Sequence, residues 1–209
     1  MSEKTVTKIA ICQRDKTRSN LFIDGEFYCS LDNFTAVKNK LKEGVVLTDE
    51  RLEEIREEGE FTGAFDKALS YVSKYKKTKK QVREYLEGKG FSYPAAFHAV
   101  DKLVSYGYLS DEEFASSYAK TYSKNKGKRL IERELIHKGV SESQAAEAVK
   151  DIDEESAAKE CAVKFMRGKD PSDIKTLSKC YRHLLAKGYG YDAVSGAVSL
   201  IKNGEEFED

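Results

Sequence analysis

The first thirty positions read as strands, in short apolar runs that partly alternate with polar residues. Thr5-Val6-Thr7-Lys8-Ile9-Ala10-Ile11-Cys12 is β-branched and partly alternating, the pattern of a half-buried strand. Ser19-Asn20-Leu21-Phe22-Ile23 and Glu26-Phe27-Tyr28-Cys29 flank Asp24-Gly25. Asp-Gly between two apolar runs predicts a two-residue hairpin turn, because both central residues need positive φ. The reading is a three-stranded β-meander. Two short helices are expected next, near residues 33–42 and 49–58, with Thr48 capping the second. Glu58-Gly59-Glu60 reads as a domain boundary.

From Thr62 onward the spacing changes to three and four, as in Val82, Tyr85, Leu86 and in Phe97, Val100, Leu103, Val104. That spacing predicts helices. Thr78 with Gln81, Ser110 with Glu113, and Ser141 with Gln144 fit the capping box, in which a hydroxyl and an N3 side chain satisfy orphan N–H groups. Gly90, Gly139 and Gly188 stand where helices should stop.

Those glycines are 49 residues apart, twice. The same interval separates Lys89, Lys138 and Lys187; Leu86, Leu135 and Leu184; Ala99, Ala148 and Ala197; and Val100, Val149 and Val198. Ala96, Ala145 and Val194 keep their class, as do Leu103, Ile152 and Ile201, and Val82, Ile131 and Cys180 follow the same spacing. The expected N-caps align too: Ser92, Ser141 and Gly190 for one helix, Thr78, Gly127 and Thr176 for the helix before it. A unit of this length holds three helices. The expected organisation is an N-terminal β-strand extension with short helices over 1–61, then three-helix repeats over 62–108, 109–153 and 154–209, the last carrying an acidic tail. The fold class is mainly α, with three tandem repeats forming a curved, elongated rod. The repeated lysine before glycine complements the helix dipole, with ligand contact as the alternative.

The 209 residues carry 36 Lys+Arg and 36 Asp+Glu, a formal net charge of zero. The zero is a sum of unlike parts: −3 over 1–61, +7 over 62–140 and −4 over 141–209. A basic middle between acidic ends points to an anionic partner. No run of 18 apolar residues occurs, so no membrane span is expected. The start, Met1-Ser2-Glu3-Lys4-Thr5, has no signal-peptide apolar stretch. Cys12, Cys29, Cys161 and Cys180 form no C-x-x-C pair, and a cytoplasmic protein with reduced thiols is expected. Cys12 and Cys29 read as ordinary half-buried thiols, with a pairing across the hairpin as the alternative.

Catalytic motifs are missing from the sequence. There is no Walker A loop, no G-x-S-x-G elbow and no H-E-x-x-H pair. His98, His137 and His183 occupy unmatched repeat positions. A non-enzymatic protein without metal or cofactor is expected. The informative chemistry is basic. One tract holds Lys74, Lys76, Lys77, Lys79, Lys80 and Arg83, and a second holds Lys120, Lys124, Lys126, Lys128, Arg129 and Arg133. Both lie at the turn between the first and second helices of a repeat. In the third repeat the tract has largely gone, leaving Lys175-Thr176-Leu177-Ser178. Lysines beside a helix N-terminus can hold phosphates through their charge and the free N–H groups. A solvated loop fits the same residues. Tyr75 and Tyr122 either stack on bases or face the core. The acidic tail (Glu205, Glu206, Glu208, Asp209) reads as a solvated end, with contact to basic surface as the alternative.

Arg83-Glu84-Tyr85-Leu86 followed by Lys89-Gly90-Phe91 is similar to the first-repeat signature of RecX proteins. So are Gly107-Tyr108-Leu109-Ser110-Asp111-Glu112-Glu113-Phe114-Ala115, Arg129-Leu130-Ile131 with Arg133-Glu134-Leu135 and Lys138-Gly139-Val140, and Leu184-Leu185 with Lys187-Gly188-Tyr189. The resemblance covers nearly the whole chain. It implies a cytoplasmic, likewise non-catalytic modulator that lies in the groove of the RecA filament on single-stranded DNA and reduces recombinase, ATPase and coprotease activity. Roles in homologous recombination, DNA repair and the SOS response follow from it. The zero net charge argues for weak or indirect nucleic-acid binding, and a rod that follows a filament groove, with no heptad seam in the sequence, is expected to be a monomer. The alternative is a helical DNA- or RNA-binding module acting without RecA. Two departures stand out: the basic turn before the second repeat's middle helix, where the family often has a proline, reads Lys126-Gly127-Lys128-Arg129, and Gly190 in Tyr189-Gly190-Tyr191 offers no side-chain cap.

Overall fold

The computed structural model describes residues 3–13 and 15–203 and divides into two compact units, Met1–Leu109 and Ser110–Asp209. The acidic tail, Glu205, Glu206, Glu208 and Asp209, lies outside the described residues.

In the first unit, β1 (Glu3–Ile11), β2 (Arg18–Ile23), β3 (Glu26–Asp32) and β4 (Val46–Thr48) form an antiparallel sheet in the order β3-β2-β1-β4. The β2–β3 turn places Asp24 at φ 50° and Gly25 at φ 90°, as an Asp-Gly hairpin requires. The meander gains a fourth strand. Three residues are too few to alternate visibly, and β4 forms because β1 offers it an edge, pairing Val46 with Thr5 and Thr48 with Glu3.

Cys12 and Cys29 do not face each other. Strand β2 lies between their strands, and the Cys12 thiol donates to Asn20 Oδ1 at 3.0 Å, beside Ser30 Oγ at 3.5 Å. Cys29 pairs with Leu21, and burial pushes its thiol up to about 11. All four cysteines are free.

Helix α1 (Asn33–Lys38) is shorter than expected, since the chain turns through Lys40 at φ 51° and Gly44 at φ 85° to reach β4. Helix α2 (Asp49–Val72) is much longer. Thr48 caps it by accepting the Arg51 N–H at 3.2 Å. The expected boundary at Glu58-Gly59-Glu60 is corrected: α2 runs straight through it. A Cβ on Gly59 would stand 2.8 Å from Leu31 Cβ, and one on Gly63 2.9 Å from Arg18 Nη1. These glycines cost helix propensity, about 1 kcal/mol each, and let the helix lie close against the sheet. They do not end it.

Helix α2 serves two cores. Its first half adds Leu52 and Ile55 to Val6, Leu21, Ile23, Leu31 and Ala36. Its second half adds Ala64 and Ala68 to residues of α3 (Lys79–Glu87) and α4 (Tyr93–Ser105), among them Val82, Leu86, Ala96, Val100 and Leu103. Fully burying each Leu or Val is worth about 1.5–3 kcal/mol.

The second unit holds α5 (Asp111–Tyr122), α6 (Lys128–His137), α7 (Glu142–Val149), α8 (Glu154–Met166), α9 (Ile174–Ala186) and α10 (Tyr191–Asn203). Helices α5–α7 enclose Ala115, Ala119, Ile131, Leu135, Val140, Ala145 and Val149. Helices α8–α10 enclose Ala158, Ala162, Cys180, Leu184, Tyr189, Val194 and Ala197. Each helix trio therefore buries the same positions: Val82, Ile131 and Cys180, then Leu86, Leu135 and Leu184. Gly90, Gly139 and Gly188 all adopt positive φ (89°, 96° and 86°).

The first helix of each trio keeps a different interval. Ala68, Ala115 and Ala162 are all buried and recur every 47 residues, and so do Tyr71, Tyr118 and Phe165. The difference from 49 is absorbed in the turn before the middle helix. A second correction concerns Thr176. The N-cap of α9 is Asp173, whose carboxylate accepts from Lys175 N–H at 3.1 Å and Thr176 N–H at 3.2 Å, so the helix starts a turn earlier than its counterparts.

Candidate functional site

The first basic tract occupies the turn from α2 to α3. Thr78 is buried and forms a full capping box, accepting from Gln81 N–H at 3.2 Å while Gln81 Oε1 accepts from Thr78 N–H at 3.1 Å. Around this anchor the aromatic rings order the cations. Tyr71 and Tyr85 stack at 4.0 Å with planes 7° apart. Lys77 Nζ sits 4.9 Å from the Tyr71 centroid and 5.8 Å from that of Tyr75, and Lys89 Nζ sits 5.6 Å from Tyr85. The result is a column: Lys77, Tyr71, Tyr85, Lys89. Each exposed cation–π contact contributes about 0.5–1 kcal/mol. Lys80 Nζ stands 3.9 Å from Glu84 Oε1. Lys74 and Lys76 are exposed, Arg83 and Lys79 half-buried. Tyr75 is 75% exposed.

The second tract has the same place in its trio but different electrostatics. Glu134 stands where the first trio has Tyr85. Lys126 Nζ donates to both Glu134 oxygens at 2.7 Å, and Tyr118 Oη donates to Glu134 at 2.8 Å. Partial burial pushes the Glu134 carboxyl up, but hydrogen bonds from Lys126 and Tyr118 outweigh it and hold the group below its ordinary value. Burial and the bond to Glu134 raise the Tyr118 phenol. Lys126 also lies 4.4 Å from the Tyr122 ring, and Lys138 5.4 Å from Tyr118. The repeated lysine thus packs on an aromatic ring in both trios, as well as standing at the helix end.

The N-terminus of α6 is occupied from within the unit. Gly127 supplies no side-chain cap. Instead Lys128 N–H donates to Glu154 Oε1 at 2.8 Å, and Lys128 Nζ donates to the Lys150 carbonyl at 2.7 Å. Gly127 N–H donates to the Lys187 carbonyl at 3.0 Å. A Cβ on Gly190 would lie 3.1 Å from Glu154 Oε2. Arg129 stacks on Tyr191 at 5.1 Å. The expectation that this turn offers free N–H groups to a phosphate is therefore corrected: a carboxylate of the chain already takes that place. Lys120, Lys124 and Arg133 are exposed. Glu154 was invisible to motif reading because an acid in the first turn of a helix normally serves its own dipole. The clue was a pair of N-caps, Gly127 and Gly190, without side chains.

The Glu134 network gives a testable pH dependence. Because its folded pKa is depressed, its stabilisation is present above the ordinary glutamate value, about 4.3, and is lost as pH falls through the folded one. Glu134→Gln is expected to cost about 1 kcal/mol at pH 7 and to converge with the parent chain at an acid pH below the folded value. Urea midpoints at both pH values check this. A gap that persists at low pH would mean that charge is not the cause.

Among the described residues, no group of three or more His, Cys, Asp or Glu side chains could hold a metal ion, and no helix is long and apolar enough to cross a membrane. His98 stacks on Phe61 and His183 on Phe165, each at 4.8 Å.

Comparison with known proteins agrees with this architecture. Residues 4–48 match the model of the regulatory protein RecX N-terminal domain, and residues 110–149 that of the RecX second three-helix domain. A Clostridium perfringens (strain SM101) protein named regulatory protein RecX is 32% identical, with 97% of this chain and 99% of that one covered. A Listeria welshimeri protein of the same name is 34% identical over 96% of this chain and 76% of its own. A crystal structure of a regulatory protein RecX superposes with a TM-score of 0.71 at 21% identity, covering 94% of this chain and 99% of that one. That of RecX from Lactobacillus salivarius gives 0.63 at 21% identity, covering 69% and 97%. The chain belongs to the RecX family of regulatory proteins.

Proposed function

We propose that this chain binds the RecA filament on single-stranded DNA and restrains its recombinase, ATPase and coprotease activities without catalysis of its own. The near full-length match to proteins named regulatory protein RecX carries this reading. The recurrence of the helix trio supports it, and so does the cation-rich first turn. On this reading the chain acts in the cytoplasm as a monomer, in recombination, DNA repair and the SOS response. The strands, α1 and the first half of α2 form an extension, and the second half of α2 with α3 and α4, then α5–α7 and α8–α10, form the working modules. The candidate contact residues are Lys74, Lys76, Lys77, Lys79, Lys80 and Arg83, followed by Lys120, Lys124 and Arg133. Lys126, Lys128 and Arg129 are placed chiefly to hold the second unit together.

The deciding measurement is RecA ATP hydrolysis on single-stranded DNA. Adding the protein below RecA stoichiometry is expected to slow hydrolysis at least severalfold. Unchanged hydrolysis and strand exchange at equimolar protein would end the proposal. A helical module that binds DNA or RNA without RecA is favoured by one observation, the six cations within residues 74–83. It predicts tight, steeply salt-dependent binding to bare nucleic acid, whereas a net charge of zero favours weak binding.

A further inference from the structure

The two basic turns invite direct comparison, because the fold has built the same feature twice and used it differently. In the second turn the central ammonium, Lys126, is neutralised by Glu134, and Tyr122 is 37% exposed with that ammonium over its ring. In the first turn Tyr85 replaces the acid, so Lys77 is held by the rings of Tyr71 and Tyr75. A ring orients an ammonium without cancelling its charge, so Lys77 can still meet an anion. Residues 74–83 contain six cations and no carboxylate. Tyr75 stands near the start of the tract, between Lys74 and Lys76 in sequence, with Lys77 Nζ 5.8 Å from its ring, and is 75% exposed.

A flat aromatic face amid cations is the combination that single-stranded nucleic acid requires. The ring stacks on an unpaired base and the cations track the flanking phosphates. A duplex hides its base faces, and an acidic peptide has no use for a flat ring at that point. We infer that the α2–α3 turn is a single-strand site in which Tyr75 stacks on one unpaired base while Lys77, Lys74 and Arg83 take the adjacent phosphates. The second turn, with Lys126 committed to Glu134, makes no such contact. This rests on the filament reading for its setting and names the part touched: the strand, not the protein that coats it.

The test uses the full chain and a fluorescein-labelled thymidine homopolymer, followed by anisotropy at about 50 mM salt, where phosphate contacts are strong. Tyr75→Ala is expected to weaken binding about tenfold, and Tyr75→Phe to stay within about twofold of the parent. Lys77→Gln is expected to flatten the salt slope by about 0.7. No measurable affinity in the parent chain overturns the inference. So does binding by Tyr75→Ala within about twofold, an equal loss with Tyr75→Phe, equal Tyr75-dependent binding of a duplex, or equal Tyr75-dependent binding of polyglutamate. The same variants go into the RecA ATPase assay to keep the two readings apart. A parent chain that leaves RecA untouched yet binds strand through Tyr75 sinks only the filament reading. One that inhibits RecA while Tyr75→Ala still binds strand normally sinks only the site.

Discussion

Gly188→Ala is expected to destabilise the second unit by about 3 kcal/mol or more. Two penalties act together. Gly188 sits at φ +86°, where a side chain costs about 1–2 kcal/mol, and its new Cβ would stand 2.4 Å from Leu130 Cβ and 2.5 Å from Leu130 N. The obstacle includes backbone, which cannot rotate away. Gly127→Ala should act alike, since its Cβ would lie 2.3 Å from the Gly188 carbonyl and Tyr189 N. The control is built into the repeat. Gly90 has φ +89° with nothing within 4 Å of a Cβ, so Gly90→Ala pays only the conformational cost. Calorimetry with hydrogen exchange reads the difference: protection should fall in α6, α9 and α10 and persist in the sheet of the first unit. The double variant should cost less than the two single losses combined, because both break one contact. Equal costs for Gly90→Ala and Gly188→Ala would show that the close approach is not what requires glycine.

That contact explains what looked in the sequence like two unrelated departures. Gly127 and Gly188 meet backbone to backbone, and the neighbouring Gly190 faces Glu154. The middle helix of one trio abuts the end of the middle helix of the next. A side chain at 127 is dispensable as a cap because Glu154 supplies the α6 acceptor from elsewhere.

The legible parts of the fold were those whose cause is local. Asp24-Gly25, Thr48 and the Thr78–Gln81 box act through their own backbones, and each did what its chemistry dictates. The 49-residue columns were legible because middle and third helices bury the same side chains. What escaped notice depends on partners distant in sequence. Strand β4 needs the β1 edge, and α2 continues through Gly59 because Leu31 lies against it. The 47-residue period of the first helices was hidden because a gapless comparison at 49 breaks at the turn between helices. The same holds for the candidate site. Lysine positions were plain, but nothing near Lys126 in sequence distinguishes it from Lys77. The distinction lies eight residues on, where one trio has Tyr85 and the other Glu134.

That distinction separates the outcomes of charge reversal at the two turns. Replacing Lys76, Lys77, Lys79 and Lys80 by glutamate is expected to raise the protein needed for half-inhibition of RecA ATP hydrolysis about a hundredfold. Four cations become four anions at a surface meant for phosphates, and each lost phosphate contact also removes a counterion-release gain. The melt should fall by a few degrees at most, because exposed pairs and ring contacts such as those of Lys77 and Lys80 are worth about 0–1 kcal/mol each. Reversal of Lys126, Lys128 and Arg129 should behave in the opposite way. The carboxylate introduced by Lys126→Glu would face Glu134, the Lys150 carbonyl would lose its donor, and Tyr191 would lose its guanidinium, so the thermal midpoint is expected to drop by about 5 °C or more. Any loss of inhibition there would follow from unfolding, and should be recovered by assaying well below the midpoint. The pair of measurements is decisive because it crosses: inhibition lost with the fold kept at the first turn, fold lost first at the second. If both variants lose inhibition with unchanged melts, the Lys126–Glu134 pairing does not silence the second turn, and both turns belong to the interface. If the first variant inhibits like the parent chain, the basic turn of the first trio is a solvated loop and the filament contact lies elsewhere.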